Sequence, residues 1–157
     1  RTVNYRMIKM SMPDFTGLTR FLAPRDGSAH GYSTIQNTYS ALDAENRSLI
    51  NPSSVDFYHM QGGIEDHASN LPLAASKGLQ LVDNLRYLVG MEALNAAQAV
   101  DLRPGIRLGK YTQIAYDTIR SHIPTLSSGR NVYENIRRAY DLVCSGELLK
   151  KVAEAEQ

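Results

Sequence analysis

From Ser69 to Arg103 the sequence runs SNLPLAASKGLQLVDNLRYLVGMEALNAAQAVDLR, with nothing to stop a helix once its first turn is past. Pro72 is no obstacle, because a proline in the first turn removes an N–H that has no intrahelical partner anyway. Gly78, Val82, Leu85, Val89, Ala96 and Val100 recur at helical spacing and mark one face, while Leu81, Leu88, Met91 and Leu94 widen the apolar surface. Leu88 to Val100 is almost apolar all round and rich in small residues, the pattern of a helix packed among several others. Read as one helix over about 69–103, the stretch is about 50 Å long. A compact globule of 157 residues has a diameter of only about 40 Å. Such a helix protrudes with apolar surface on several sides, so the chain is expected to be one segment of a larger helical assembly.

The rest of the sequence reads as helices too. Residues 1–12 form a helix that Pro13 stops, and 13–29 cross over as a loop with Pro, Gly and Asp at intervals. From His30 to Ile50 the stripe is Tyr32, Ile35, Tyr39, Leu42 and Leu49, with Asn46 its one polar interruption. Asn51-Pro52 ends it. Beyond Pro104-Gly105, helices are expected at about 108–122 and 131–144, the latter with Val132, Ile136, Ala139 and Val143 on one face. Gly146 then gives a stop before a last turn or two at 147–154. No alternating strand pattern and no repeat occurs. The expected fold class is all-α, a bundle of long helices, with 1–157 as a single helical segment.

Composition narrows the function classes. A net charge of +1 offers neither the basic surface that nucleic acid requires nor an acidic tail. No apolar run approaches the ~20 residues that cross a bilayer, and no signal peptide opens the chain. The single cysteine, Cys144, forbids an internal disulfide and suits a reducing compartment, so the expected location is cytoplasmic. Arg1 in place of an initiator Met predicts an internal start, as in a fragment or a processed product.

Candidate chemistry gathers between the second and third helical patterns, in the loop 51–68, which reads NPSSVDFYHMQGGIEDHA. Glu65, Asp66 and His67 are consecutive, and three neighbours cannot converge with His59 on one ion without distorting the backbone; no metal site is expected. Gly62-Gly63 is not a phosphate loop, having no strand before it and no lysine after it. Two readings of the acids stand: a site, or favourable charge near a helix N-terminus. Elsewhere, Cys144 falls in a helical stripe as a small buried hydrophobe. His30 and His122 look like helix-end residues, and Tyr111, Tyr116, Tyr133 and Tyr140 look like inter-helix contacts.

The order of residues around that loop goes further. LDAENRSLINPSSVD, then GGIEDHASN, then LRYLVGMEALNAAQAVDLR resembles the C-terminal part of the aromatic amino acid ammonia-lyases, the histidine and phenylalanine/tyrosine ammonia-lyase family. The bacterial histidine enzymes carry a similar A-S-E-N-K-A-L-x-x-P-x-S-V-D run. A Q-E-D-H-V-S segment follows at the same distance, then an apolar helix with I-E-L-L-x-A-x-Q-x-L-D-x-R. The residues that correspond here are Glu45-Asn46, Pro52, Ser54-Val55-Asp56, Glu65-Asp66-His67 and Glu92 through Arg103. The resemblance covers nearly the whole chain and weakens after residue 105.

That resemblance implies a bundle of long helices in a homotetramer, with active sites assembled from three subunits. It implies the electrophile 4-methylideneimidazole-5-one (MIO), made from an internal Ala-Ser-Gly, and a tyrosine base. Both lie in the N-terminal part of the family sequence and outside these residues, so this chain is expected to be inactive by itself and to need that part as its partner. Ser127-Ser128-Gly129 is similar to the triad only superficially and reads as a loop. The implied reaction removes ammonia from a small aromatic amino acid (histidine-, phenylalanine- or tyrosine-like) and leaves an α,β-unsaturated acid. Glu65 matches the family's glutamate beside cofactor and substrate amine, and so is the catalytic candidate. Gln61 and Ile64 are the substrate-binding candidates. The sequence departs from the histidine enzymes at Gly63, where they carry Asn, and at Ile64, where they carry Gln. Gln61 stands where the plant phenylalanine enzymes carry an acid. An aminomutase would share these features, and a non-catalytic assembly module would share the scaffold alone.

Overall fold

The computed structural model describes residues 1–55, 58–65, 67, 69–127 and 131–156. Asp56, Asp66, Ser128 and Gly129, each named above, lie outside the described residues. The elements in order are α1 (Thr2–Met10), α2 (Pro13–Thr16), α3 (Ile35–Leu49), α4 (Leu71–Asp101), α5 (Lys110–His122), α6 (Val132–Ser145) and α7 (Glu147–Glu154). No strand occurs among the described residues, so the fold is all-α as the sequence predicts.

The central helix is α4, 31 residues and so about 46 Å long. It starts two residues later than the expected 69 because Asn70 sits at φ 48 in the left-handed region, and Leu71 and Pro72 make the first turn. It stops at Asp101, two residues short of the expected end, with Leu102 as its cap. The segment expected to be a plain crossing contains α2 and a 3-10 turn at Arg20–Leu22. Helix α3 begins at Ile35 and not at His30, because the Tyr32 N–H is committed to the Phe21 carbonyl at 2.8 Å. Asn131 caps α6 by accepting from the Tyr133 N–H, and Gly146 at φ 70 separates α6 from α7.

The core is concentrated on the C-terminal half of α4. Leu88, Met91, Leu94 and Ala97 are buried against α1, α3 and α6. Helix α6 crosses most closely at Gly90, where a Cβ would come within 3.0–3.1 Å of the Ala139 backbone. Burial refines one expectation about faces and corrects another. On the face marked by Gly78, Val82, Leu85, Val89, Ala96 and Val100, Gly78 and Val100 are half-buried and the other four are open to solvent in this chain. The buried face is Asn84, Leu88, Met91, Asn95 and Gln98, and it includes three amides. Cys144 is exposed, not buried: α6 turns Asn135, Ala139 and Leu142 inward, so the register of its buried stripe differs by one residue from the expected one. Of the tyrosines, Tyr116 and Tyr140 make inter-helix bonds, to Asp101 and Asp83, whereas Tyr111 and Tyr133 are exposed.

Buried amides and charges lock the helices in register. Asn84 Nδ2 donates to Glu45 Oε2 and to Asn46 Oδ1, both at 2.9 Å, which ties α4 to α3. Gln98 donates to the Leu22 carbonyl at 3.3 Å and accepts from the Leu126 N–H at 3.1 Å. Asp101 accepts from Tyr116 and from Thr125 and pairs with the Arg120 guanidinium at 2.7 Å, in a largely buried cluster.

Burial pushes the Tyr32 hydroxyl up to about 12, and burial also raises Tyr39. A tyrosine whose folded value exceeds its unfolded one stabilises the fold fully below the unfolded value. That contribution is lost as pH climbs from about 10 toward 12. Alkaline titration should therefore unfold the protein with tyrosinate absorbance and loss of helicity rising together above pH ~10. In Tyr32→Phe the transition should move to higher pH. An unmoved transition would mean that Tyr32 ionises without unfolding.

Candidate functional site

The loop between α3 and α4 is clamped at its base. Lys77, in the second turn of α4, donates through Nζ to the Asn51 carbonyl, and Asn70 donates through Nδ2 to the Ser53 carbonyl, both at 2.7 Å. The first of these holds the C-terminal end of α3, and the second holds the 3-10 turn Ser53–Val55, whose Ser53 is buried.

Beyond the clamp the chain makes a tight turn. The Met60 N–H donates to the Glu65 carbonyl at 3.0 Å, and the Glu65 N–H returns the bond to Met60 at 3.3 Å. The Gly63 N–H also reaches the Met60 carbonyl, at 3.0 Å. Between the paired residues, Gln61, Gly62 and Gly63 have φ of 54, 65 and 92, three left-handed residues in succession. Glycine adopts that region without penalty; Gln61 does not, and such outliers collect at functional sites. No described atom lies within 4 Å of a Cβ built on either glycine. The glycines therefore serve the backbone conformation, and within this chain they accommodate no close neighbour.

All three sequence-predicted site residues fall on this one turn, Gln61 and Ile64 within it and Glu65 at its closing pair. All three are exposed, Ile64 at 87%. The Glu65 side chain has no ion pair or hydrogen bond among the described residues. Chain position weighs against the helix-dipole reading of Glu65, and Asp66, which shared that reading, lies outside the described residues. The dipole acts within the first turn, whereas Glu65 is locked in the hairpin six residues ahead of Leu71, and that first turn holds no acid. No group of acids, histidines and cysteines that could hold a metal ion occurs among the described residues. Met60, whose backbone fixes Glu65, was not singled out from the sequence; a backbone partner leaves no mark in residue type.

Residues 1–121 match the sequence model of the family described as aromatic amino acid lyase. The chain belongs to that family. Among curated relatives of these lyases, histidine ammonia-lyase of Stigmatella aurantiaca is 42% identical over 150 residues, covering 96% of this chain. Among solved lyase-fold structures, ergothionase from Treponema denticola, described as an ergothioneine-degrading enzyme, is 50% identical over 94% of this chain, with a TM-score of 0.89. Histidine ammonia-lyase from Trypanosoma cruzi superimposes with a TM-score of 0.91 at 26% identity over 97% of the chain. The chain spans only 29–30% of the length of these relatives. It is thus one region of a longer enzyme type.

Within the lyase motifs, most of the described polar side chains are bonded inside this chain. Glu45 and Asn46 are spent on Asn84. Glu92 takes a two-point bond from Arg6 of α1, and Arg103 donates to the Thr16 carbonyl at 2.8 Å. Gln98 and Asp101 hold the loops described above. Each of these side chains makes at least one bond inside this chain. Among the described residues, Glu65 is the motif acid left open.

Proposed function

We propose that this chain is the C-terminal part of a cytoplasmic, homotetrameric ammonia-lyase that removes ammonia from an aromatic amino acid and leaves an α,β-unsaturated acid. One observation carries this reading: Glu65, the matching acid, stands on a preformed turn six residues ahead of α4, with its carboxylate uncommitted among the described residues. The open side of that turn, with space beside Gly62 and Gly63, fits a pocket completed by other segments. MIO, from an Ala-Ser-Gly that these residues do not contain, supplies the electrophile when present.

The work left to this chain is binding and proton handling. Glu65 holds the substrate ammonium or accepts its proton. Gln61, an amide with both donors and an acceptor, contacts the substrate carboxylate or side chain. Ile64 offers an apolar contact in place of an amide. The 50% identity to ergothionase favours a second reading of the substrate, ergothioneine, a betaine of thiolated histidine; its quaternary nitrogen carries no proton, so elimination releases a tertiary amine in place of ammonia and Glu65 pairs with it by charge alone.

The whole protein, supplied in turn with histidine, phenylalanine, tyrosine and ergothioneine, is expected to form an unsaturated acid from one of them. Residues 1–157 alone are expected to form none. Product from the isolated segment, or silence of the whole protein with every substrate, would overturn the proposal; the silent result would favour a non-catalytic assembly module.

A further inference from the structure

The turn that ends at Glu65 is closed by three backbone bonds converging on the Met60–Glu65 pair, and these exist only while residues 61–63 stay left-handed. Any residue with a Cβ resists that region, and glycine does not. Within this chain the two glycines make room for no neighbour, since a Cβ at either position meets nothing described within 4 Å. Their exposure likewise gives them no part in the core packing of this chain. What remains is conformation. We propose that Gly62 and Gly63 are positioning residues: their left-handed backbone closes the Met60–Glu65 pair and so fixes where the Glu65 carboxylate stands. This rests on the reading above that Glu65 acts on the substrate.

Gln61 fits the same account. It is the one residue of the three with a side chain, and it is held at φ 54 by the bonds on either side of it. A positioned turn holds its acid ready before substrate arrives, so loosening it removes competent molecules without changing how substrate binds.

The experiment uses the full-length enzyme with Gly62→Ala and Gly62→Asn, each made alone and in a Glu65→Ala background. Asparagine is larger than alanine yet visits the left-handed region far more readily. Gly62→Ala is expected to lower kcat by roughly tenfold with KM within about twofold. Gly62→Asn should retain most of kcat. In the Glu65→Ala background, Gly62→Ala should cost nothing further, since its effect passes through the missing carboxylate. An asparagine variant as poor as the alanine one, or a loss confined to KM, would mean that the glycine makes room for substrate, and would overturn the inference. So would an additional loss in the Glu65→Ala background, or a fall in melting temperature that tracks the lost turnover. Glu65→Ala alone tests the underlying reading. If it is crippled while Gly62→Ala is fully active, only the positioning inference fails. If Glu65→Ala is fully active, the role of Glu65 itself is wrong.

Discussion

Glu65→Ala in the intact enzyme is expected to cut turnover by at least ~100-fold while the oligomer stays folded, the usual scale for a positioned acid–base group. The two halves of that expectation have separate grounds. Turnover should fall because, among the described residues, the carboxylate is the lyase-motif acid with no other commitment. Stability should hold because the side chain is exposed and bonded to nothing described, and surface changes of that kind cost within about 0.5 kcal/mol. The backbone bonds that build the turn run through the Met60 and Glu65 main chain and survive the substitution. Steady-state kinetics beside a thermal melt decides it. Full turnover with a melting point several degrees lower would make the carboxylate structural.

The second large effect separates the inside of this chain from its surroundings. Leu94 is fully buried in the core, and Leu94→Arg should prevent folding, since an unpaired buried charge costs several kcal/mol of a total stability of about 5–15. Ala96 lies two residues on and faces out, at the edge of an apolar groove of about 620 Å³ between α1 and α4, beside Tyr5, Met10 and Glu92. Ala96→Arg should leave the helices of this chain formed yet dissociate the assembly, because the guanidinium then occupies a face that the proposed tetramer covers. Light scattering and circular dichroism on the full-length protein read the two effects apart. If Ala96→Arg leaves both oligomeric state and melting temperature unchanged, that face is not an assembly contact.

The long helix was legible because an apolar period sustained over eight turns has no other explanation. What the period could not say is which apolar face is satisfied inside the chain. Val82, Leu85, Val89 and Ala96 look more like a core stripe than Asn84, Leu88, Asn95 and Gln98 do, yet the second set is buried. The reason is that buried amides pair with partners far along the chain, Asn84 with residues 45 and 46, Gln98 with 22 and 126. Sequence-local hydrophobicity cannot see such pairs. The same blindness put Cys144 inside, because a buried Asn135 shifted the register of α6. At the site, residue order pointed to Glu65, Gln61 and Ile64. The left-handed run that aims them is a property of dihedral angles, and of its residues only the two glycines announce it.

The clamp of Lys77 on Asn51 and Asn70 on Ser53 has an evolutionary consequence. Anchorage of the loop is carried by contacts at its root, whereas the residues proposed to meet a substrate sit at the far tip and brace nothing else among the described residues. Sequence drift at the tip therefore leaves the foundation undisturbed, and a new substrate can be tried without first re-inventing a stable scaffold. A lineage built this way can diversify its chemistry by editing a handful of neighbouring codons.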